Sequence, residues 1–185
     1  MTNNIVTAVQ EQLGLDAFDK IDPNQESQRF SSEHDSKHFV QAAVTAVLAG
    51  LYKHAGTKDA TEELFSLKNP QQVLRRIFDT NEEHIIESVS NYGNKPYDQT
   101  RLFMERIAEE ALNVTTEATA PDATPEKRML YIAGQRHNIL VYLPPDLQLG
   151  TLINDNALDD RTNKMEGPVS NLMHFFEQLF SEKEK

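Results

Sequence analysis

One alanine-rich stretch, residues 39–55, constrains the fold more than any other part of the chain. Its apolar and small side chains recur at helical spacing, and few polar positions, such as Gln41, Thr45 and Lys53, stand between them. A helix that is apolar on nearly all sides must be covered by its neighbours. The stretch is too short and too interrupted to cross a bilayer, which needs roughly 20 consecutive apolar residues. We therefore expect a buried central helix in an all-α, multi-helix bundle.

Helix start and stop signals recur on both sides of this stretch. Glycines at positions 14, 56 and 93 are typical of the residue that follows a helix. Capping residues and first-turn prolines predict helix starts at Ser32, Asp59, Asn69-Pro70, Thr80, Pro96 and Thr124-Pro125. Residues 113–124 are rich in threonine, alanine and acid without periodicity, so we expect a surface loop there. The adjacent Glu109 and Glu110 are typical of a solvated helix face.

Residues 129–143 admit two interpretations. Two short apolar runs flank a five-residue segment, which is typical of a small β-hairpin. The same apolar residues also keep helical spacing, and Pro125 and Pro144-Pro145 are suited to start and stop one helix. The prolines favour the helix, and the hairpin remains the alternative.

The chain beyond residue 150 has a different character. Residues 154–167 are polar and turn-rich, and a clean apolar stripe follows on a predicted last helix. We expect a helical bundle domain over residues 1–150. Residues 151–185 are then a polar connection and a C-terminal amphipathic helix, which packs on the same domain or on a partner.

Composition narrows the classes of partner. The net charge is -11 and the pI is about 4.9, which argues against nucleic acids and anionic membrane surfaces as partners. The chain has no cysteine, so disulfides and thiolate chemistry are excluded. We see neither a signal peptide nor a transmembrane segment, and the expected compartment is the cytoplasm.

Several phrases of the sequence resemble one bacterial family. They occur at residues 44–55, 63–65, 77–79, 89–93, 133–136 and 143–147. Their residues and order resemble those of the YidB-like bacterial proteins of unknown function, although Asp79 stands where that family has a glycine and Tyr92-Gly93 stands where it has Ser-Gly. The resemblance covers roughly residues 5–150. It implies an all-helical fold and a bacterial origin, and it implies neither an activity nor functional residues.

His34 and His38 are the candidate metal ligands. Two histidines four residues apart on a helix face one way and are able to bind one metal ion. The segment differs from the His-Glu-x-x-His pattern because Asp35 replaces the glutamate, and no third ligand is identifiable downstream. The favoured interpretation is a solvated, polar helix start; the alternative is a metal-binding protein or a metal-dependent hydrolase.

Two further groups are candidate binding residues. Arg136, His137 and Tyr142 would cluster loosely in either interpretation of their segment, so they are candidates for a small-molecule pocket. The last helix presents aromatic residues and a methionine, which interfaces favour. Its candidate interaction residues are Met173, Phe176, Leu179 and Phe180.

No catalytic constellation is visible in the sequence, and we predict no cofactor. We therefore predict a non-enzymatic interaction or scaffold module. Its predicted partner is a protein or a second copy of the chain, bound through the C-terminal helix, with no nucleic acid and no membrane.

Overall fold

The computed structural model describes residues 4–21 and 35–152. Within these ranges the chain forms nine α-helices: α1 Ile5–Leu13, α2 Asp35–His54, α3 Lys58–Ser66, α4 Pro70–Phe78, α5 Glu82–Tyr92, α6 Tyr97–Thr119, α7 Pro125–Ala133, α8 Arg136–Leu140 and α9 Leu149–Leu152. Short 3-10 turns occupy Asp79–Asn81 and Pro145–Leu147. The described ranges contain no strand, so the all-α prediction is confirmed and the hairpin alternative at 129–143 is wrong. The predicted C-terminal helix and the Ser32 cap lie outside the described residues.

Helix α2 is the centre of the bundle, as its composition predicts. Every residue from 41 to 51 is buried. The helix packs against α4, α5, α6 and α8, and more lightly against α1 and α7. Small residues allow these neighbours to come close: a Cβ added to Gly50 would meet the ring of Phe78 and lie 2.7 Å from Ile77 Cγ2.

Most helix ends follow local capping rules. Asn4 Oδ1 accepts a hydrogen bond from Val6 N at 2.9 Å, and Gly14, with φ of 65°, ends α1 as predicted. Proline occupies the first turn of α4 and of α7. The predicted start at Thr80 is wrong, because that residue lies in a 3-10 turn and α5 begins two residues later at Glu82.

Helix α6 extends into the predicted loop and ends at Thr119, so the loop prediction is wrong for residues 113–119. Its threonines are accommodated because each hydroxyl donates to a carbonyl one turn back: Thr115 to Ala111 O at 2.8 Å, Thr116 to Leu112 O at 2.9 Å and Thr119 to Thr115 O at 2.7 Å. Thr115 and Thr119 are buried, and α6 packs against α1 and α7. Tertiary burial therefore outweighs the weak helix preference of this composition.

Residues 125–140 form two helices rather than one, with a turn at Gly134 and Gln135. Gln135 is fully buried, and its Oε1 accepts hydrogen bonds from Ile5 N at 3.0 Å and from Asn138 Nδ2 at 2.9 Å. The break thus places a side-chain acceptor at the first amide of α1, which has no partner within its own helix.

Residues 15–21 have no regular secondary structure and are held by a buried side-chain amide. Gln41 Oε1 accepts from Asp19 N at 3.2 Å, while its Nε2 donates to Asp19 O at 2.8 Å and to Tyr142 O at 2.9 Å. Ile21 N also donates to Val141 O at 2.9 Å. One side chain of the central helix therefore joins this segment to the end of α8.

None of the helices in the described part of the chain combines the length and apolar character that crossing a membrane requires.

Candidate functional site

A groove of about 670 Å³ lies between α1, the connection from α3 to α4, and the second half of α6. We call it the α6 groove. Five of its lining residues are apolar, and we call them the floor: Phe65, Leu67, Pro70, Val73 and Leu112. The other lining residues are polar or charged, and we call them the rim: Gln12, Lys68, Glu109, Glu110, Asn113, Thr116 and Glu117. The sequence did not predict this site, because its parts come from three separate regions of the chain.

The floor of the groove is formed where α3 ends and α4 begins. Leu67 is the extended residue after α3, and Asn69 Oδ1 accepts from Gln71 N at 2.9 Å to cap α4 with Pro70 in its first turn. This short connection leaves Leu67 and Pro70 only half-buried. Val73 and Leu112 are nearly covered, at 3% and 9% exposure. In the floor, Leu67 and Pro70 therefore expose apolar surface to solvent, while Val73 and Leu112 belong to the packed interior.

Phe65 contributes the aromatic part of the floor. The guanidinium of Arg128 on α7 lies 4.8 Å from the centre of its ring, which is within the range of a cation–π contact. Arg128 is itself held, because one of its amino groups donates to Pro121 O at 2.9 Å. A half-buried ring with a fixed neighbour is a ready contact for an apolar side chain, because little conformational freedom is lost on binding.

The rim carries three carboxylates against one ammonium group. Glu109 and Glu117 are exposed and Glu110 is half-buried. Two of these carboxylates accept long hydrogen bonds: Gln12 Nε2 donates to Glu117 at 3.5 Å, and Asn113 Nδ2 donates to Glu110 at 3.5 Å. Within the described ranges, no ion pair forms at any of the three carboxylates. The rim therefore has an unneutralised negative charge.

The lining of the α6 groove offers side-chain carbon, carboxylate oxygens and one ammonium group. Its lining contains no histidine, serine or aspartate, and the hydroxyl of Thr116 donates to Leu112 O at 2.9 Å. Glu109 and Glu110 are consecutive on a helix, so their side chains diverge by about 100° around its axis. The site offers an apolar contact surface with acceptors at its edge.

The candidate metal ligands are only partly placed. His38 is half-buried in the first turns of α2, and His34 lies outside the described residues. Across residues 4–21 and 35–152, no three or more histidine, aspartate or glutamate residues are grouped so that they could hold a metal ion. The metal hypothesis therefore stays a prediction.

The candidate small-molecule residues lie at and after α8. Arg136 is half-buried, His137 is exposed, and the half-buried Tyr142 packs edge-on against Phe18 with ring centres 6.3 Å apart. None of the three lines the α6 groove. A pocket there stays a prediction. The candidate interaction residues Met173, Phe176, Leu179 and Phe180 lie outside the described residues.

A second charged cluster surrounds His54 at the end of α2. Arg76 of α4 forms an ion pair with Glu63 of α3. The carboxylate of Asp79 also interacts electrostatically with the imidazole of His54. Burial lowers the pKa of His54, and the nearby Arg76 lowers it further, while Glu63 and Asp79 act in the opposite direction. Among the described residues, His54 Nε2 has no hydrogen-bond partner. The neutral imidazole is thus the favoured form in the folded protein.

Comparison with known proteins yields no match to a protein-family model, a curated protein or a solved structure. The resemblance to the YidB-like proteins accordingly stays a prediction from the phrases quoted above. A functional proposal for this chain depends on the residues of its own candidate site.

Proposed function

We propose that this protein is a non-enzymatic interaction module that binds a segment of a partner protein in the α6 groove. One observation supports the proposal: the half-buried Phe65, Leu67 and Pro70 share the groove with three carboxylates that form no ion pair with any described residue. Concave sites with an apolar lining and a few polar groups are the usual form of binding sites. A charged rim around an apolar centre is also the usual arrangement in protein interfaces.

The shape of the groove favours a protein segment over a compact metabolite. Its α6 side extends from Glu109 to Glu117, which corresponds to about 12 Å, or roughly two helical turns. A small polar metabolite is held by several convergent polar groups. Here five lining residues offer side-chain carbon instead, and three of the four charged lining residues are glutamates.

Binding at the floor is tested by titrating the full chain with an uncharged amphipathic peptide. The peptide is a helix of about 14 residues with leucines on one face and glutamines on the other, and amide NMR spectra report the residues that it contacts. We expect shifts centred on Leu67, Val73 and Leu112. Leu67→Asp should abolish them, because a carboxylate in the floor opposes burial of apolar surface.

The matched control is Leu102→Asp. Leu102 also lies on α6 and is 65% exposed, but it is not part of the groove. This variant should bind the peptide as the unaltered protein does. Shifts centred on Tyr142 instead, or no shifts at all, would contradict the proposed site.

The C-terminal segment supplies a second contact in this proposal. Its residues Met173, Phe176, Leu179 and Phe180 form an apolar stripe in the sequence, suited to a partner or to a second copy of the chain. Native mass spectrometry of the full chain and of a chain that lacks residues 167–185 tests this contact. We expect deletion to remove self-association or partner capture; deletion that lowers only stability would oppose a role in binding.

A further inference from the structure

We infer that the α6 groove accepts a basic amphipathic α-helix, with apolar side chains on the floor and lysine or arginine at the rim. The inference rests on the proposed function, because it names the class of partner for the same groove. It is supported by the charge of the rim, by the geometry of the flanking elements and by the charge of the competing occupants.

The negative charge of the rim favours a partner that carries positive charge. Glu109, Glu110 and Glu117 face the groove with only Lys68 as a counter-charge in its lining. Because the described residues provide no ion pair for these carboxylates, a cationic side chain competes only with the long hydrogen bonds from Gln12 and Asn113. The net charge of -11 adds long-range attraction for a basic segment and repulsion for an acidic one.

The flanking elements select a helix. The described part of the chain has no strand, so it offers no sheet edge to which an extended peptide could add. Helices α1 and α6 border the groove instead, and the α6 side of the groove is about two turns long. An amphipathic helix places side chains i, i+4 and i+7 along one face over about 10 Å, which matches this length.

The chain's own C-terminal segment, for which the sequence predicts a helix, is a poorer occupant. Residues 168–185 contain three glutamates, Glu177, Glu182 and Glu184, and two lysines, Lys183 and Lys185. This segment therefore adds negative charge to a negative rim. A second copy of the chain has the same disadvantage, because each copy carries a net charge of -11. A basic helix from another protein is complementary to both the floor and the rim.

The test compares three peptides that share their length and leucine positions but differ in charge. The polar positions are all lysine, all glutamine or all glutamate, and binding to the full chain is measured by fluorescence anisotropy. We expect the lysine peptide to bind about tenfold more tightly than the glutamine peptide, and the glutamate peptide to bind more weakly than either. Added salt should narrow these differences, because exposed charges are screened.

Charge reversal at the rim locates the effect. The double variant Glu109→Lys and Glu117→Lys should remove the preference for the lysine peptide. The control Glu87→Lys changes an exposed glutamate on α5, outside the groove, and should retain most of that preference. The loss of preference is compared per substituted glutamate. If Glu87→Lys reduced the preference for the lysine peptide as much per substitution as the double rim variant does, the net charge of the chain would be responsible and the inference would be overturned.

The outcomes separate the inference from the proposed function. If all three peptides bound equally and Leu67→Asp abolished binding of each, the groove would be an interaction site without the partner class inferred here. If binding of every peptide were insensitive to Leu67→Asp, both the inference and the proposed function would fail. Preferential lysine binding that is lost with Leu67→Asp and with rim reversal would support both.

Discussion

At Gly50, the absence of a side chain determines how closely α2 and α4 approach. A Cβ at this position would overlap the ring of Phe78 and lie 2.7 Å from Ile77 Cγ2. Gly50→Ala should therefore cost about 1–3 kcal/mol by overpacking, more than the gain of up to about 1 kcal/mol from better helix propensity. Urea denaturation measures the net change. In the control Gly134→Ala, the new Cβ would lie 3.5 Å from its nearest neighbours, so the effect should be small; equal losses in both variants would contradict the close approach at Gly50.

Asp79 has a backbone conformation that favours glycine, with φ of 49° and ψ of -126°. Holding a non-glycine residue in such a region costs about 1–3 kcal/mol, while glycine loses about 0.4–1 kcal/mol through the greater freedom of the unfolded chain. We expect Asp79→Gly to raise the free energy of unfolding by about 1 kcal/mol, as measured by urea denaturation. Asp79→Ala removes the same carboxylate but keeps the Cβ; an equal gain there would mean that charge, not the backbone, is the cause.

His54 should make stability depend on pH. Its pKa in the folded protein lies below the ordinary value of 6.5, first because of burial and then because of Arg76. As the pH falls through 6.5, His54 takes up a proton in the unfolded chain before it does so in the folded protein. The neutral His54 therefore contributes its full stabilisation above pH 6.5, and this stabilisation decreases as the pH falls toward the folded pKa. The loss of stability between about pH 7.5 and about pH 5.5 should be smaller in His54→Gln than in the unaltered protein. The exposed His137, changed to glutamine, is the control; identical pH profiles for the unaltered protein and His54→Gln would refute the prediction.

At the scale of elements, the junction between α7 and α8 fixes the start of α1. Gln135 accepts hydrogen bonds from Ile5 N at 3.0 Å and from Asn138 Nδ2 at 2.9 Å. Gln135→Met keeps much of the volume but leaves the buried Ile5 amide without its acceptor, which should cost about 1–3 kcal/mol. Hydrogen exchange in the first turn of α1 should accelerate as well. Asn138→Ala removes only the second donor, so its effect on α1 should be smaller; the prediction fails if both variants loosen α1 equally.

Helix ends show how far local rules extend. Gly14, Pro70 and Pro125 mark ends or starts as the sequence predicts, because a cap or a first-turn proline acts within one turn of chain. The end of α6 was missed by several residues. Its threonines hydrogen-bond to carbonyls within α6 and two of them are buried under neighbouring helices, which composition alone does not reveal.

For the molecule as a whole, we expect the described bundle to unfold as one cooperative unit around α2. It packs against α1, α4, α5, α6, α7 and α8, and its Leu48 is fully buried. Leu48→Ala should lower the free energy of unfolding by about 2–5 kcal/mol through lost burial and a residual cavity. Protection from hydrogen exchange should fall together in α1 and α5 if both open only by global unfolding. A loss confined to one of them would show that the bundle contains separate folding units.

The candidate site could not be predicted from the sequence in the way that the helices could. Glu109 and Glu110 indicated only a solvated helix face, and Leu67 and Pro70 indicated only a connection between helices. These residues line one groove only because α1 and α4 pack against α6. The metal, small-molecule and C-terminal hypotheses came from local patterns, and they stay predictions.

The sequence by itself determined the all-α class, the buried central helix and the negative charge, because periodicity, composition and capping act within a few residues. Tertiary structure alone decided the full length of α6, the break between α7 and α8, and the α6 groove. These features depend on contacts between distant parts of the chain, such as the hydrogen bond from Ile5 N to Gln135 across 130 positions. The free energy of such contacts comes from burial and pairing that arise only when the helices are assembled.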